Sequence, residues 1–379
     1  MANLPQNPSF NDKEKISSVL CLVGTYSFRG SKGIYPLSFD AATGHLSAAG
    51  EPAALENPTY LAEDRLRGLI FAVSETNQYH GRFGGSLASF KRSPDTNQLH
   101  LIDQQPSGGS SPCHLLVDSG RRRLVVANYG SGSATILDYL EDGRLILPAD
   151  PAACLISHKG SGPDPDRQEG PHVHHVSLTP DGKHLNLVDL GLDQIVTYPW
   201  PIASAEAHAA SPLASLTCPP GTGPRHLVYG QEPYVYAVME MGSEVLALQA
   251  ESDSYRLTQR ISTLPEACCP SDNTGAAIRL SPDGRWLLAS NRGHDSLAIY
   301  AVDPTNGRLT WTRNESCGGR VPRDFYLLPQ AAGPDFWILA ASQEDDRICV
   351  YRMDAQNGTM TGPCCTFQVP APVCLLPLH

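Results

Sequence analysis

Long basic runs, long apolar stretches and paired cysteines are all missing from this chain. Its 379 residues hold 28 Lys or Arg against 39 Asp or Glu, a formal net charge of −11 with a pI near 5.6. No run of Lys and Arg is longer than Arg121-Arg122-Arg123, whereas a nucleic-acid partner needs a broad basic footprint on its phosphates. No apolar stretch is long enough to span a bilayer, so no membrane helix is expected. Residues 1–18 are polar, include Lys13, Glu14 and Lys15, and lack the apolar centre of a signal peptide. They read as a frayed tail on a cytoplasmic protein, with a single domain over residues 19–379. The eleven cysteines form no CxxC pair, and Cys268–Cys269 and Cys364–Cys365 are adjacent. An odd count without framework spacing fits free thiols in a reducing compartment, most of them small apolar strand residues.

What the chain does have is a repeat. An apolar run ending in a polar residue recurs seven times, and the register residues are Thr25, Glu75, Asn128, Asp189, Glu240, Asn291 and Gln343. The steps between them are 50, 53, 61, 51, 51 and 52 residues. A fixed period of that size marks a solenoid or a propeller. The copy after Pro224 shows the contents of one period: Arg225–Tyr229, Tyr234–Met239, Glu244–Gln249 and Leu257–Ile261 read as four strands rich in aromatic and β-branched residues. Pro180-Asp181-Gly182 and Pro282-Asp283-Gly284 supply tight turns in sister copies. Seven four-stranded antiparallel meanders make an all-β, seven-bladed β-propeller.

The first copy begins on second-strand material at Val19–Val23. Its missing first strand appears at the other end, where Ala371–Leu376 resembles Ser111–Leu116. The C-terminal strand is therefore expected to complete the N-terminal blade and leave few free sheet edges.

In such a meander the start of the first strand and the end of the second lie at one rim, and the first strand is innermost. One mouth of the channel should then collect His172, Arg225, Glu240, Arg292 and Arg323, with amides and acids beside them. Arginine presents a planar fork suited to carboxylate or phosphate, so three of them in an acidic protein point to a small anionic ligand. His172 and His174 share a strand face and could hold a divalent ion with Asp189 or Glu240, but the arginines would repel it, so no metal or cofactor is expected. The 61-residue step carries a polar insertion, Ser157–Gly170, that leads into His172 as a lid, a binding loop or a plain surface excursion.

Several phrases in order carry a resemblance: Ala127-Asn128-Tyr129-Gly130, Arg167-Gln168-Glu169-Gly170-Pro171-His172-Val173-His174, Val188-Asp189-Leu190-Gly191, Gly223-Pro224-Arg225-His226, Met239-Glu240, Ser290-Asn291-Arg292-Gly293 and Pro322-Arg323-Asp324. The chain resembles the lactonase family of seven-bladed propellers, which includes 6-phosphogluconolactonases and carboxymuconate cyclases. The resemblance places an active site of one His, two Arg and one Glu on His172, Arg225, Arg292 and Glu240. Arg323, His174, Asn128, Gln168, Asp189 and His226 are the expected substrate-binding residues. It implies a monomeric, cofactor-free hydrolase of an anionic lactone, 6-phosphogluconolactone in particular, with His172 or Glu240 as base; Glu240 as His172's orienting partner is the favoured arrangement. A lactonising cycloisomerase would need the same anion clamps, and a non-catalytic binding propeller would lack the chemistry altogether.

Overall fold

A computed structural model describes residues 18–266 and 272–378. The expected tail up to residue 17, and Cys268 and Cys269, lie outside them. All nine described cysteines are free thiols, and no helix among the described residues is long and apolar enough to cross a membrane.

The described strands form seven antiparallel sheets of four or five strands, arranged as the blades of one ring, and one small hairpin, Gln78–Tyr79 with Arg82–Phe83. Blade 1 is closed by the two ends of the chain: Pro372–Pro377 lies innermost and pairs with Ser18–Thr25, which pairs with Gly33–Asp40. Blades 2 to 7 follow in sequence order, with inner strands Tyr60–Asp64, Pro112–Asp118, Val173–Leu178, Pro224–Tyr229, Thr274–Leu280 and Pro322–Pro329.

The second strand of each blade is buried on both faces, and this is why it reads as a continuous apolar run rather than an alternating one. In blade 3, Leu124 and Val126 pack toward blade 2, while Val125 and Ala127 pack toward blade 4. Each of the seven interfaces between neighbouring blades holds its own apolar cluster, including the closing interface between blades 7 and 1, where Trp337, Leu339 and Val350 meet Cys21, Val23 and Phe39. Leu375 of the C-terminal strand belongs to that cluster, and Cys374 and Leu378 to the next one.

Deleting residues 370–379 should therefore open the ring. It removes Leu375 and Leu378, each worth about 2–5 kcal/mol when buried, and it bares the edge of Ser18–Thr25. Calorimetry should show loss of the cooperative transition or a melting temperature well below that of the full chain; equal melting temperatures would contradict closure as a source of stability.

Candidate active site

The inner strands begin with an irregularity that positions the site. In six of the seven blades the pairing between first and second strands slips by one residue near the mouth. Pro224 faces Met239 and His226 faces Val238, so Arg225 has no partner in the ladder. Arg323, His174 and Cys113 are left out in the same way. A bulge of this kind re-aims one side chain while the strand continues. Arg225, Arg323 and His174 thereby occupy equivalent positions, whereas His172 lies just ahead of its strand.

The pairing also divides the seven register residues. Thr25, Asn128, Asp189 and Asn291 lie opposite the starts of inner strands and are fully buried. Glu240 lies one residue further along, past Met239, and its counterparts are Tyr26, Glu75, Tyr129, Arg292 and Gln343. One residue changes the direction of a strand side chain, and it is this second set that supplies the acids and the arginine of the mouth.

The buried set fastens the blades. Asn128 donates to the Thr135 hydroxyl at 2.8 Å, and Asn291 donates to the Thr263 carbonyl at 2.8 Å. Asp189 accepts from the backbone N–H of His172 at 2.8 Å and of Leu192 at 3.1 Å, and meets His158 Nδ1 at 2.6 Å. Gln168 is also fully buried; its amide donates to the Leu190 carbonyl at 2.8 Å and accepts from the Asp164 N–H at 3.2 Å. Asp189 and Gln168, expected among the substrate-binding residues, thus have their polar atoms turned to the scaffold, as does the Asn128 amide nitrogen, whereas the buried Asn128 Oδ1 has no hydrogen-bond partner.

At the centre of the site Glu240 gathers three arginines. Oε2 accepts from Arg225 Nε at 2.8 Å and contacts Arg292 Nη2 at 2.9 Å, and Oε1 accepts from Arg167 Nη2 at 2.5 Å. Arg225 also donates to the Ala276 carbonyl at 2.7 Å, and Arg292 to the Gly275 carbonyl at 2.9 Å. Gly275 permits that approach, since a Cβ there would stand 2.7 Å from the Met239 carbonyl oxygen. Burial alone would raise the Glu240 carboxyl, but the charges of Arg292, Arg225 and Arg167 hold it well below the usual carboxylate range. Arg225 is pushed down to about 10 by burial and by Arg292, despite Glu240. Arg292 is lowered too, by burial and by Arg323 and Arg167. Four arginines face three carboxylates, Glu240, Glu75 and the more exposed Glu169, so the mouth carries an excess of positive charge in a protein of net charge −11.

Arg167 is the residue that sequence reasoning left out of the site. It comes from the expected lid, which is a fastened arm: His158 holds one end to Asp189 and Gln168 holds the other to Leu190. Arg167 also donates to the Tyr129 hydroxyl at 3.3 Å. It stands in the same phrase as Gln168 and His172, so the sequence carried a signal for it.

His172 does not touch Glu240, contrary to the expected pairing. Its ring stacks on Tyr129, centroids 4.4 Å apart, and Nδ1 lies 2.9 Å from the Tyr129 carbonyl oxygen. A carbonyl only accepts, so Nδ1 carries the proton and Nε2 is the atom free to exchange one. Glu169, not Glu240, faces Nε2 at 3.2 Å. Gly191 makes room for this arrangement, because a Cβ there would overlap the Gly170 carbonyl and crowd the His172 ring.

Beneath the arginines lies a layer of imidazoles. The His114 ring packs, tilted, between those of Tyr60 and His175 at 4.0 and 4.2 Å, and His226 lies 5.1 Å from His175 and 5.2 Å from His174. Burial and neighbouring positive charge hold all four histidines well below their ordinary value, His175 at about 3, so they are neutral near pH 7. His226, half-buried, also meets Arg225 Nη1 at 3.4 Å. No group of three or more His, Cys, Asp or Glu among the described residues is arranged to hold a metal ion.

Comparison with known proteins agrees with the fold. A family model described as "Lactonase, 7-bladed beta-propeller" matches residues 20–377. The chain is 33% identical over 361 residues to a 6-phosphogluconolactonase of Bacillus subtilis, covering 94% of this chain and 97% of that one. It is 30% identical to the periplasmic gluconolactonase of Pseudomonas aeruginosa, with a TM-score of 0.85 over 96% of this chain and 99% of that one. A crystal structure from Lactobacillus plantarum aligns at 30% identity and a TM-score of 0.83, covering 96% of this chain and all of that one.

Proposed function

Given that the chain belongs to the seven-bladed β-propeller lactonases, we propose that it hydrolyses an anionic sugar-acid lactone, 6-phosphogluconolactone in the first instance. The observation that carries this reading is the positive excess around Glu240: a small acidic substrate has a place to bind, and the oxyanion formed on ring opening has donors beside it.

The reaction needs a water molecule to attack the lactone carbonyl. His172 Nε2 takes the water proton, and the oxygen of the former carbonyl becomes an oxyanion held by Arg225 and Arg292. Collapse breaks the ring C–O bond, and the proton on Nε2 passes to the departing ring oxygen, giving the open hydroxy acid. Glu240 holds Arg225 and Arg292 in place through their hydrogen bonds and stays ionised among them, so it serves poorly as a base. His174, neutral and set among the arginines, has a buried Nδ1 without a hydrogen-bond partner and can bond to a substrate hydroxyl.

The test is hydrolysis of freshly generated 6-phosphogluconolactone, corrected for spontaneous opening, with and without EDTA. His172→Ala should lower kcat by about 10²–10⁴-fold while keeping a cooperative melting transition, since it loses the contact with Tyr129 but leaves the apolar clusters between blades intact. Normal kcat in this variant would remove His172 from the mechanism. An enzyme silenced by EDTA would overturn the metal-free reading.

A further inference from the structure

The four arginines of the mouth are not equivalent. Arg167, Arg225 and Arg292 each spend donors on Glu240, and Arg225 and Arg292 spend more on backbone carbonyls. An anion arriving there competes with bonds already made. Arg323 has no such commitments. Its nearest carboxylate, Glu75, is 3.9 Å away, beyond hydrogen-bond reach. Glu75 Oε1 is itself taken by the Tyr26 hydroxyl at 2.9 Å. The Arg323 guanidinium lies over the Tyr26 ring, 5.2 Å from its centroid, and its side chain is 18% exposed. The bulge aims it and the ring below supports it, yet its N–H groups have no hydrogen-bonding acceptor among the described residues.

We infer that Arg323 binds a negative charge carried by the substrate away from its reacting carbonyl, and so sets the preference for phosphorylated or carboxylated lactones over neutral ones. This deepens the lactonase reading and rests on it for the reaction, although the anion site itself does not. With the anion at Arg323, on the blade 7 side, the lactone carbonyl falls toward Arg225 and Arg292 on blades 5 and 6. A guanidinium that stacks on an aromatic ring presents its in-plane donors as a fork, which suits phosphate and carboxylate alike.

Two measurements test this. In the first, kcat/KM is compared for 6-phosphogluconolactone, a lactone with a carboxylate in place of the phosphate, and neutral gluconolactone. Arg323→Gln should lower the ratio of anionic to neutral substrate by about 10- to 100-fold, chiefly through KM, and Arg323→Lys should restore part of it. Which anionic lactone loses more identifies phosphate or carboxylate as the native group. An unchanged ratio overturns the inference. In the second, binding of the open product 6-phosphogluconate is measured by calorimetry. Affinity that drops in Arg323→Gln supports the anion site even if no lactone is hydrolysed, in which case the functional reading fails alone. Undiminished affinity in the variant, or no binding by the wild type, overturns the inference.

Discussion

Glu240→Gln should both silence the enzyme and destabilise the ring. Among the described residues the carboxylate is the only negative charge in contact with Arg225 and Arg292, two guanidinium groups buried side by side. Both are already lowered by burial and by neighbouring arginines, Arg225 by Arg292, and Arg292 by Arg323 and Arg167. Removing one partner of a buried ion pair costs about 3–5 kcal/mol, because the remaining charge is left unanswered. Glutamine keeps the shape but turns an N–H₂ toward an arginine donor. The share of Arg167, 40% exposed, is small by comparison. Turnover should fall by about 10³-fold or more, since both oxyanion donors lose their anchor. A urea titration beside the kinetics separates the effects. Glu240→Gln combined with Arg292→Gln should regain part of the stability without regaining activity, because one of the two uncompensated charges is gone but the site is not rebuilt. Near-normal stability and turnover in Glu240→Gln would remove the clamp from the mechanism.

The second large effect is acid lability. His114, His174, His175 and His226 have ordinary values of 6.5 when unfolded and are held well below it in the fold, His175 at about 3. Below pH 6.5 the unfolded chain takes up protons that the folded chain refuses, so stability falls with falling pH. The loss continues until the folded imidazoles themselves protonate. Each histidine contributes about 1.4 kcal/mol per pH unit in that window, and four together about 5 kcal/mol per unit. A typical domain has only about 5–15 kcal/mol to lose. Denaturant titrations at pH 7, 6 and 5 should show this slope, with Glu240 adding to it once pH drops below the usual carboxylate range. His175→Asn should reduce the slope by about 1.4 kcal/mol per unit. A stability that is flat from pH 7 to 5 would mean that the imidazole layer takes up protons freely.

The ring and its closure were legible because they rest on patterns the chain repeats. Second strands buried on both faces leave long apolar phrases at a constant period, and the missing first strand of blade 1 reappears intact at Pro372–Pro377. Arg225, Glu240, Arg292 and Arg323 were legible because nothing structural requires charge at those places. The register was not. Asn128 and Glu240 look alike as polar ends of apolar runs, yet one fastens the scaffold and the other faces the mouth. That difference is a single residue of strand pairing, and a bulge leaves no mark in composition. The pairing of His172 with Glu169, and the reach of Arg167 across to Glu240, depend on how the arm between blades 3 and 4 is fastened. Its fastener, Gln168, looked like a ligand-binding residue because a buried amide bonded to backbone and an exposed one awaiting substrate are the same letter.

The bulges also bear on how such a protein changes its chemistry. A residue left out of the ladder can be exchanged without disturbing the backbone hydrogen bonds on either side. Arg225, Arg323 and His174 fill such places here, and Cys113, Ala276 and Val373 fill the matching places in other blades. The ring thus separates the part that must be kept, the paired strands, from a small set of positions around one opening that can be rewritten one at a time. New substrate preference can be sought first at Cys113, Ala276 and Val373, where selection for a different ligand has side chains to add and no ladder bond to break.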